Sequence, residues 1–205
     1  MTLLYWFDLI SVLFFALSGG IIGKRKNMDY FGVCFLAFIT AIGGGTVRDL
    51  LIGAMPIAWV SDPTYIGVIL LGAFLSILPL ERLRWIERPF LVADTFAIAL
   101  AAIVGLQKSL EFGANPLAAV FFGMTSAVIG GVVRDVVCNR VPQVLRQEIY
   151  ATACLAGGVI YLITSQLLDA GAILSFASGM GTIVLLRLGA IRWHWSLPLV
   201  RREGN

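Results

Sequence analysis

Apolar residues gather into seven runs, at about 3–22, 30–52, 64–80, 89–106, 116–138, 148–165 and 171–188. Each falls within the roughly 17–25 residues that a helix needs to cross a bilayer. Short polar or helix-breaking stretches separate them: Lys24-Arg25-Lys26-Asn27, Ser61-Asp62-Pro63, Glu87-Arg88-Pro89, Asn115-Pro116 and Val141-Pro142. The pattern predicts an all-α integral membrane protein of seven transmembrane helices, one membrane domain over 1–205 with no soluble module. No Lys or Arg precedes the first run, as a cleavable signal peptide would require, so it reads as a true span.

Within these runs the chain repeats itself. Ala41-Ile42-Gly43-Gly44-Gly45-Thr46-Val47-Arg48-Asp49 returns 86 residues later as Ala127-Val128-Ile129-Gly130-Gly131-Val132-Val133-Arg134-Asp135. At the same offset Asp8 matches Asp94, Thr40 matches Ser126 and Pro56 matches Pro142. Self-similarity over such a length signals a duplicated structural unit. The offset lays spans 1–3 (repeat 1, 3–80) on spans 4–6 (repeat 2, 89–166) and leaves the seventh span, 171–188, over. Three is odd, so the second copy enters the membrane from the opposite side. The repeats are expected to be inverted about an axis in the membrane plane, with a pathway near the midplane where they meet.

Composition sharpens the class. Of the residues 59% are apolar and 13% charged, against roughly 25% charged in soluble domains. The net charge of +3 matters less than its distribution, because cytoplasmic loops collect Lys and Arg. With the N-terminus outside, the inner segments hold twelve basic residues: Lys24, Arg25, Lys26, Arg82, Arg84, Arg88, Arg140, Arg146, Arg187, Arg192, Arg201 and Arg202. The outer loops hold only Lys108, while Arg48 and Arg134 lie within spans. The expected topology is N-terminus outside, C-terminus inside.

The doubled motif carries the candidate chemistry. Glycine in a helix interior costs about 1 kcal/mol relative to alanine, so Gly43, Gly44, Gly45, Gly130 and Gly131 should weaken spans 2 and 5 and permit kinks. Kinks would bare carbonyls able to replace water around a K⁺ or Na⁺ ion, held transiently rather than tightly. The competing reading is close helix packing through small residues. Thr40 and Ser126, one turn earlier, either line a wet constriction or bond back to their own helices.

Charges in the membrane need partners or water. Arg48 and Asp49 are helix neighbours about 100° apart, so they are expected to pair poorly. Depth instead suggests Asp8–Arg48 near one face and Asp94–Arg134 near the other, leaving Asp49 and Asp135 for the pathway. If all ionise, two positive and four negative groups favour cations, unless these are purely structural ion pairs.

The remaining chemistry is sparse. Cys34, Cys138 and Cys154 are odd in number and widely spaced, hence small core hydrophobes rather than disulfides or metal ligands. His194, among Arg192, Trp193 and Trp195, reads as an interfacial anchor. The regular pairing of aspartates with arginines disfavours an aspartyl dyad. No nucleotide loop, metal cluster or protease constellation stands out. No enzyme activity, cofactor or nucleic-acid partner is expected.

With its three-plus-three-plus-one spans and its doubled Gly-Gly-x-x-Arg-Asp signature, the chain resembles the prokaryotic trimeric intracellular cation (TRIC) channels over residues 3–190. The resemblance implies a homotrimer with an hourglass pore in each subunit, lined by kinked spans 2 and 5. It also implies permeability to monovalent cations, chiefly K⁺, with membrane lipids around it in a prokaryotic inner membrane. One departure is Ile129 opposite Gly43, which makes the halves unequal. The lipid-binding lysine motif of animal members has no clear counterpart in span 4. Relatives are also labelled possible glycine transporters. The alternatives to a channel are therefore a carrier for glycine or a similarly small solute, and a structural role.

Overall fold

The computed structural model describes residues 3–78, 89–146 and 149–196. Several inner-loop arginines of the charge count (Arg82, Arg84, Arg88, Arg201 and Arg202) lie outside them, as do residues 79–80 and 148 of the expected third and sixth spans.

Helix follows helix along the chain: α1 (Leu3–Arg25), α2 (Tyr30–Ile52), a single turn α3 (Ala58–Ser61), α4 (Thr64–Ile77), α5 (Pro89–Glu111), α6 (Pro116–Val137), α7 (Ala151–Leu162) and α8 (Ala172–Trp193). Five of them, α1, α2, α5, α6 and α8, are long and apolar enough to cross a membrane, and α4 and Ala151–Leu167 are shorter apolar helices. At 1.5 Å per residue, the 14 residues of α4 span about 21 Å. A π-helical turn, Ile163–Leu167, extends α7.

Helix ends fall where capping chemistry puts them. Asp29 accepts the Gly32 N–H at 2.7 Å and Asn115 accepts the Ala118 N–H at 2.8 Å, closing the first turns of α2 and α6. Gly53 takes φ 70° to end α2 and bonds back to carbonyls of the last turn. Hydropathy alone ended three spans too early. Helix α1 runs on through Lys24 to Arg25, α5 through Lys108 to Glu111, and α8 through Arg192 to Trp193. Charged residues are good helix formers whose stems lie along apolar surface, so a charge is not a stop. Lys108 therefore belongs to a helix, not to a loop.

Over residues 96–106 helix α5 is apolar on every side, and Ala97, Ile98, Ala99, Ile103 and Val104 are all nearly inaccessible. A helix apolar all round belongs in the interior. It packs on α1, α6, α7 and α8, while α1 packs on α2 and α4. The outward faces of other helices stay apolar: Phe31, Phe74, Ile173 and Leu185 are all more than 60% exposed, as suits surfaces that meet lipid or another subunit. The three cysteines are free, with Cys138 and Cys154 buried.

Candidate functional site

The repeated motifs meet where α2 crosses α6. Gly44 lies against the backbone carbonyl of Ser126, and Gly130 lies against the carbonyl of Thr40. A Cβ on Gly43 would stand 3.3 Å from the Cα of Gly130. Only hydrogen fits at Gly44 and Gly130, so these glycines serve close approach. Neither helix is interrupted there, since α2 and α6 run unbroken through their glycines. The glycines thus make a tight crossing between two helices that continue through them. Gly45 and Gly131 differ, for each turns toward an internal space.

On one side of the crossing lies a cavity of ≈30 Å³, lined by Asp8, Gly45, Arg48, Asp49, Tyr65 and Ser126 among others. That is enough for about two waters. Arg48 folds back on its own helix. Its Nε and Nη2 each reach Asp49 Oδ1 at 2.8 Å, and Nη1 donates to the Ser126 hydroxyl at 3.3 Å. Asp49 also receives Lys108 Nζ from α5 at 2.9 Å and the Ala58 N–H at 3.4 Å. Asp8 does not meet Arg48. Its carboxylate accepts the Tyr65 hydroxyl at 2.6 Å instead.

Two expectations are corrected here. Arg48 pairs with its neighbour because a long guanidinium stem can curl sideways across the 100° that separates the two Cβ directions. Asp49 is not the freer carboxylate, since two cations hold it.

On the other side, Arg134 does span helices. Its Nη1 donates to Asp94 Oδ1 at 2.7 Å and to the Ser18 hydroxyl at 3.1 Å, while Nε reaches Asp135 Oδ1 at 3.0 Å. The guanidinium also stands over the Phe90 ring at 4.8 Å, a favourable cation–π placement. Asp135 accepts the Gln143 N–H at 3.1 Å. The space between Gly131, Arg134, Asp135, Gln143 and Tyr150 leaves no room for water. Around it, Arg134 Nη2, the Tyr150 hydroxyl and Gln143 Oε1 are buried and find no hydrogen-bond partner among the described residues. Asp94 Oδ2 is in the same condition.

The hydroxyls divide. Thr40 donates to the Leu36 carbonyl at 2.6 Å, the local back-bond, whereas Ser126 accepts from Arg48. Three participants were missed in the sequence: Lys108, Tyr65 and Tyr150. A lone basic residue beside an apolar run was a usable signal for Lys108; single tyrosines in apolar spans gave none. Arg187, counted with the inner loops, is buried in α8. Its guanidinium stands over the Tyr150 ring at 4.6 Å, and it donates to the Ile149 carbonyl at 3.2 Å. His194 ends α8 beside stacked Trp193 and Trp195, whose ring centroids are 5.3 Å apart. Outside the spans, the Tyr5 hydroxyl at 2.6 Å and the Thr64 N–H at 2.9 Å hold the Asp62 carboxyl below the usual carboxylate range.

Known proteins share this arrangement. A structure described as the basis for conductance through TRIC cation channels superposes with a TM-score of 0.85 at 30% identity, covering 100% of both chains. The trimeric intracellular cation channel orthologue from Rhodobacter sphaeroides gives 0.85 at 32% identity, over 95% of this chain and 100% of its own. The family model described as "Glycine transporter" matches residues 5–80 and again 91–166. The chain belongs to the TRIC family. Curated members include the inner membrane protein YadS of Escherichia coli strain K12, 38% identical over 206 residues and 99% of each chain. A membrane protein of Vibrio cholerae is 40% identical over 200 residues, 96% of this chain and 82% of its own. Like YadS, described as an inner membrane protein, this chain is an integral inner-membrane protein.

Proposed function

We propose that the chain is a cation channel, permeable to K⁺, whose route passes within one subunit between α2 and α6. The observation that carries this reading is the glycine crossing with a charged internal space on each side, in a chain whose fold matches TRIC cation channels at a TM-score of 0.85. Gly43, Gly44, Gly45, Gly130 and Gly131, with Thr40 and Ser126, form the narrow part. Asp49 and Asp135 lie in the flanking charged layers. Around the route, Arg48, Arg134 and Lys108 face Asp8, Asp49, Asp94 and Asp135, so carboxylates outnumber cations by one and cations are favoured. The small cavity and the closed space correspond to a non-conducting conformation.

The wider architecture follows the same reading. Seven spans, with α4 and Ala151–Leu167 as the short ones, run with the N-terminus outside and the C-terminus inside. Repeats 3–80 and 89–166 are inverted, and 171–188 is added. Gly44 on Ser126 and Gly130 on Thr40 are the same contact made both ways at the 86-residue offset, a reciprocity that supports a two-fold axis. The family model's double match supports it too. Exposed apolar faces and the trimeric orthologue support a homotrimer surrounded by lipid.

The family model's description supports a second reading, a carrier for glycine or a similarly small solute. A carrier of that type would hold a carboxylate at helix N-termini freed by breaks. The continuity of α2 and α6 weighs against it. Planar-bilayer recording of purified protein under a KCl gradient separates the two. The expected result is discrete unitary currents reversing near the K⁺ potential. Saturable glycine uptake without unitary currents would overturn the channel reading.

A further inference from the structure

Asp8 and Tyr65 belong to two spaces at once. Both line the ≈30 Å³ cavity beside Arg48 and Asp49. Both also line a more open recess of ≈180 Å³, with Tyr5, Lys108, Glu111 and Phe112 on its walls. The pair is therefore the partition between an outer recess and the internal cavity, and the 2.6 Å hydrogen bond from the Tyr65 hydroxyl to Asp8 Oδ2 closes it.

The charge on this partition differs from that of the other three aspartates of the repeated pattern. Asp49 is neutralised by Arg48 and Lys108, and Asp135 by Arg134. Asp94 occupies the position of Asp8 in the second repeat and sits on Arg134 at 2.7 Å with no exposure. Asp8 alone of these four has no cation within ion-pair distance among the described residues, and its Oδ1 accepts no hydrogen bond there. Half-buried, it faces the recess and stands open to an arriving ion. An uncompensated carboxylate between low-dielectric walls concentrates counter-ions at that point.

We infer that Asp8 is the binding residue for a monovalent alkali cation at one mouth of the route, and that Tyr65 is a positioning residue that holds its carboxylate. The inference rests on the channel reading. The arriving cation competes with the Tyr65 hydroxyl for the carboxylate, so binding and the opening of the partition are one event. Because Asp94 is occupied by Arg134, the other mouth lacks such a site, and the route is electrically lopsided.

Single-channel current–voltage curves at symmetric low KCl test this. The wild type is expected to rectify, passing more current when cations enter from the Asp8 mouth. Asp8→Asn should lower that current about twofold or more and straighten the curve, given the tenfold or larger local enrichment such charges produce. Asp8→Glu should retain rectification. Tyr65→Phe should raise the low-salt current. In 1 M KCl, where screening acts within about 3 Å, the variants should converge. A folded Asp8→Asn protein with wild-type currents in both polarities overturns the inference. If Asp8→Asn does not fold, an unchanged or lowered low-salt current in Tyr65→Phe overturns it instead. A wild type without unitary currents removes the channel reading itself, a different outcome from a conducting wild type indifferent to Asp8.

Discussion

Arg134 and Asp94 meet at 2.7 Å with neither side chain exposed, whereas Arg48, the counterpart of Arg134, finds its carboxylate on the adjacent residue. The same motif is thus wired across helices in one repeat and along a single helix in the other. Breaking a buried pair leaves a charge without compensation, typically at a cost of 3–5 kcal/mol. Asp94→Asn should therefore lower the thermal midpoint in detergent sharply. Asp8→Asn, which removes no ion pair, should shift it little. A melting series that ranks Asp8 above Asp94 would contradict this wiring.

Lys108 and Asp49 should respond unequally. The lysine side chain is 21% exposed and the aspartate 1%, so loss of Lys108 leaves a carboxylate still held by Arg48. Lys108→Gln should cost less than the roughly 3–5 kcal/mol of a stranded buried charge and increase cation conductance at low salt. Asp49→Asn should cost several times as much, because it strands Arg48. Detergent melting curves and bilayer recordings on both variants would test the order.

The glycines are not equivalent. A Cβ at Gly44 or Gly130 collides with a backbone carbonyl, whereas at Gly45 it would meet only Arg48 Nη2 at 3.8 Å. Gly44→Ala and Gly130→Ala should destabilise by about 1–3 kcal/mol, the usual range for overpacking, or prevent folding. Gly45→Ala should be nearly neutral in stability while reducing current. Equal effects on stability at all three positions would refute the close-approach account.

Tyr150 is buried with its hydroxyl unpartnered among the described residues. Such a group costs about 1–3 kcal/mol, a penalty that disappears if opening admits water. Tyr150→Phe should raise the melting temperature and lower the open probability. A destabilised Tyr150→Phe protein would mean that the hydroxyl is satisfied in the resting state.

Much of the architecture was legible in the chain. Runs of apolar residues located the long helices, and Asp94 with Arg134 could be matched by depth alone. Arg48 was misread because Cβ directions were taken as limits on where a guanidinium can go. Lys108 was misread because hydropathy stops at a charge while the helix does not. Tyr65 and Tyr150 left no mark, since a tyrosine in an apolar span looks the same whether its hydroxyl meets lipid headgroups or an aspartate inside the protein. The helix crossing was half visible. Small residues announced proximity, but nothing in the sequence chose between a break and a contact.

The reciprocal seat of Gly44 on Ser126 and of Gly130 on Thr40 has a mechanical corollary. Sliding either helix by one turn would bring Thr40 or Arg48 to the place of Gly44, and neither side chain fits there. Rotation about the crossing is the motion left, which makes it a fulcrum with α2 and α6 as scissor blades. Swinging the blades apart at the Asp49 end swings their far arms as well, so the two ends are geared rather than independent. Spin-label distances between α2 and α6, taken at both ends on switching between non-conducting and conducting conditions, should change together. A change confined to one end would show that the joint is not rigid.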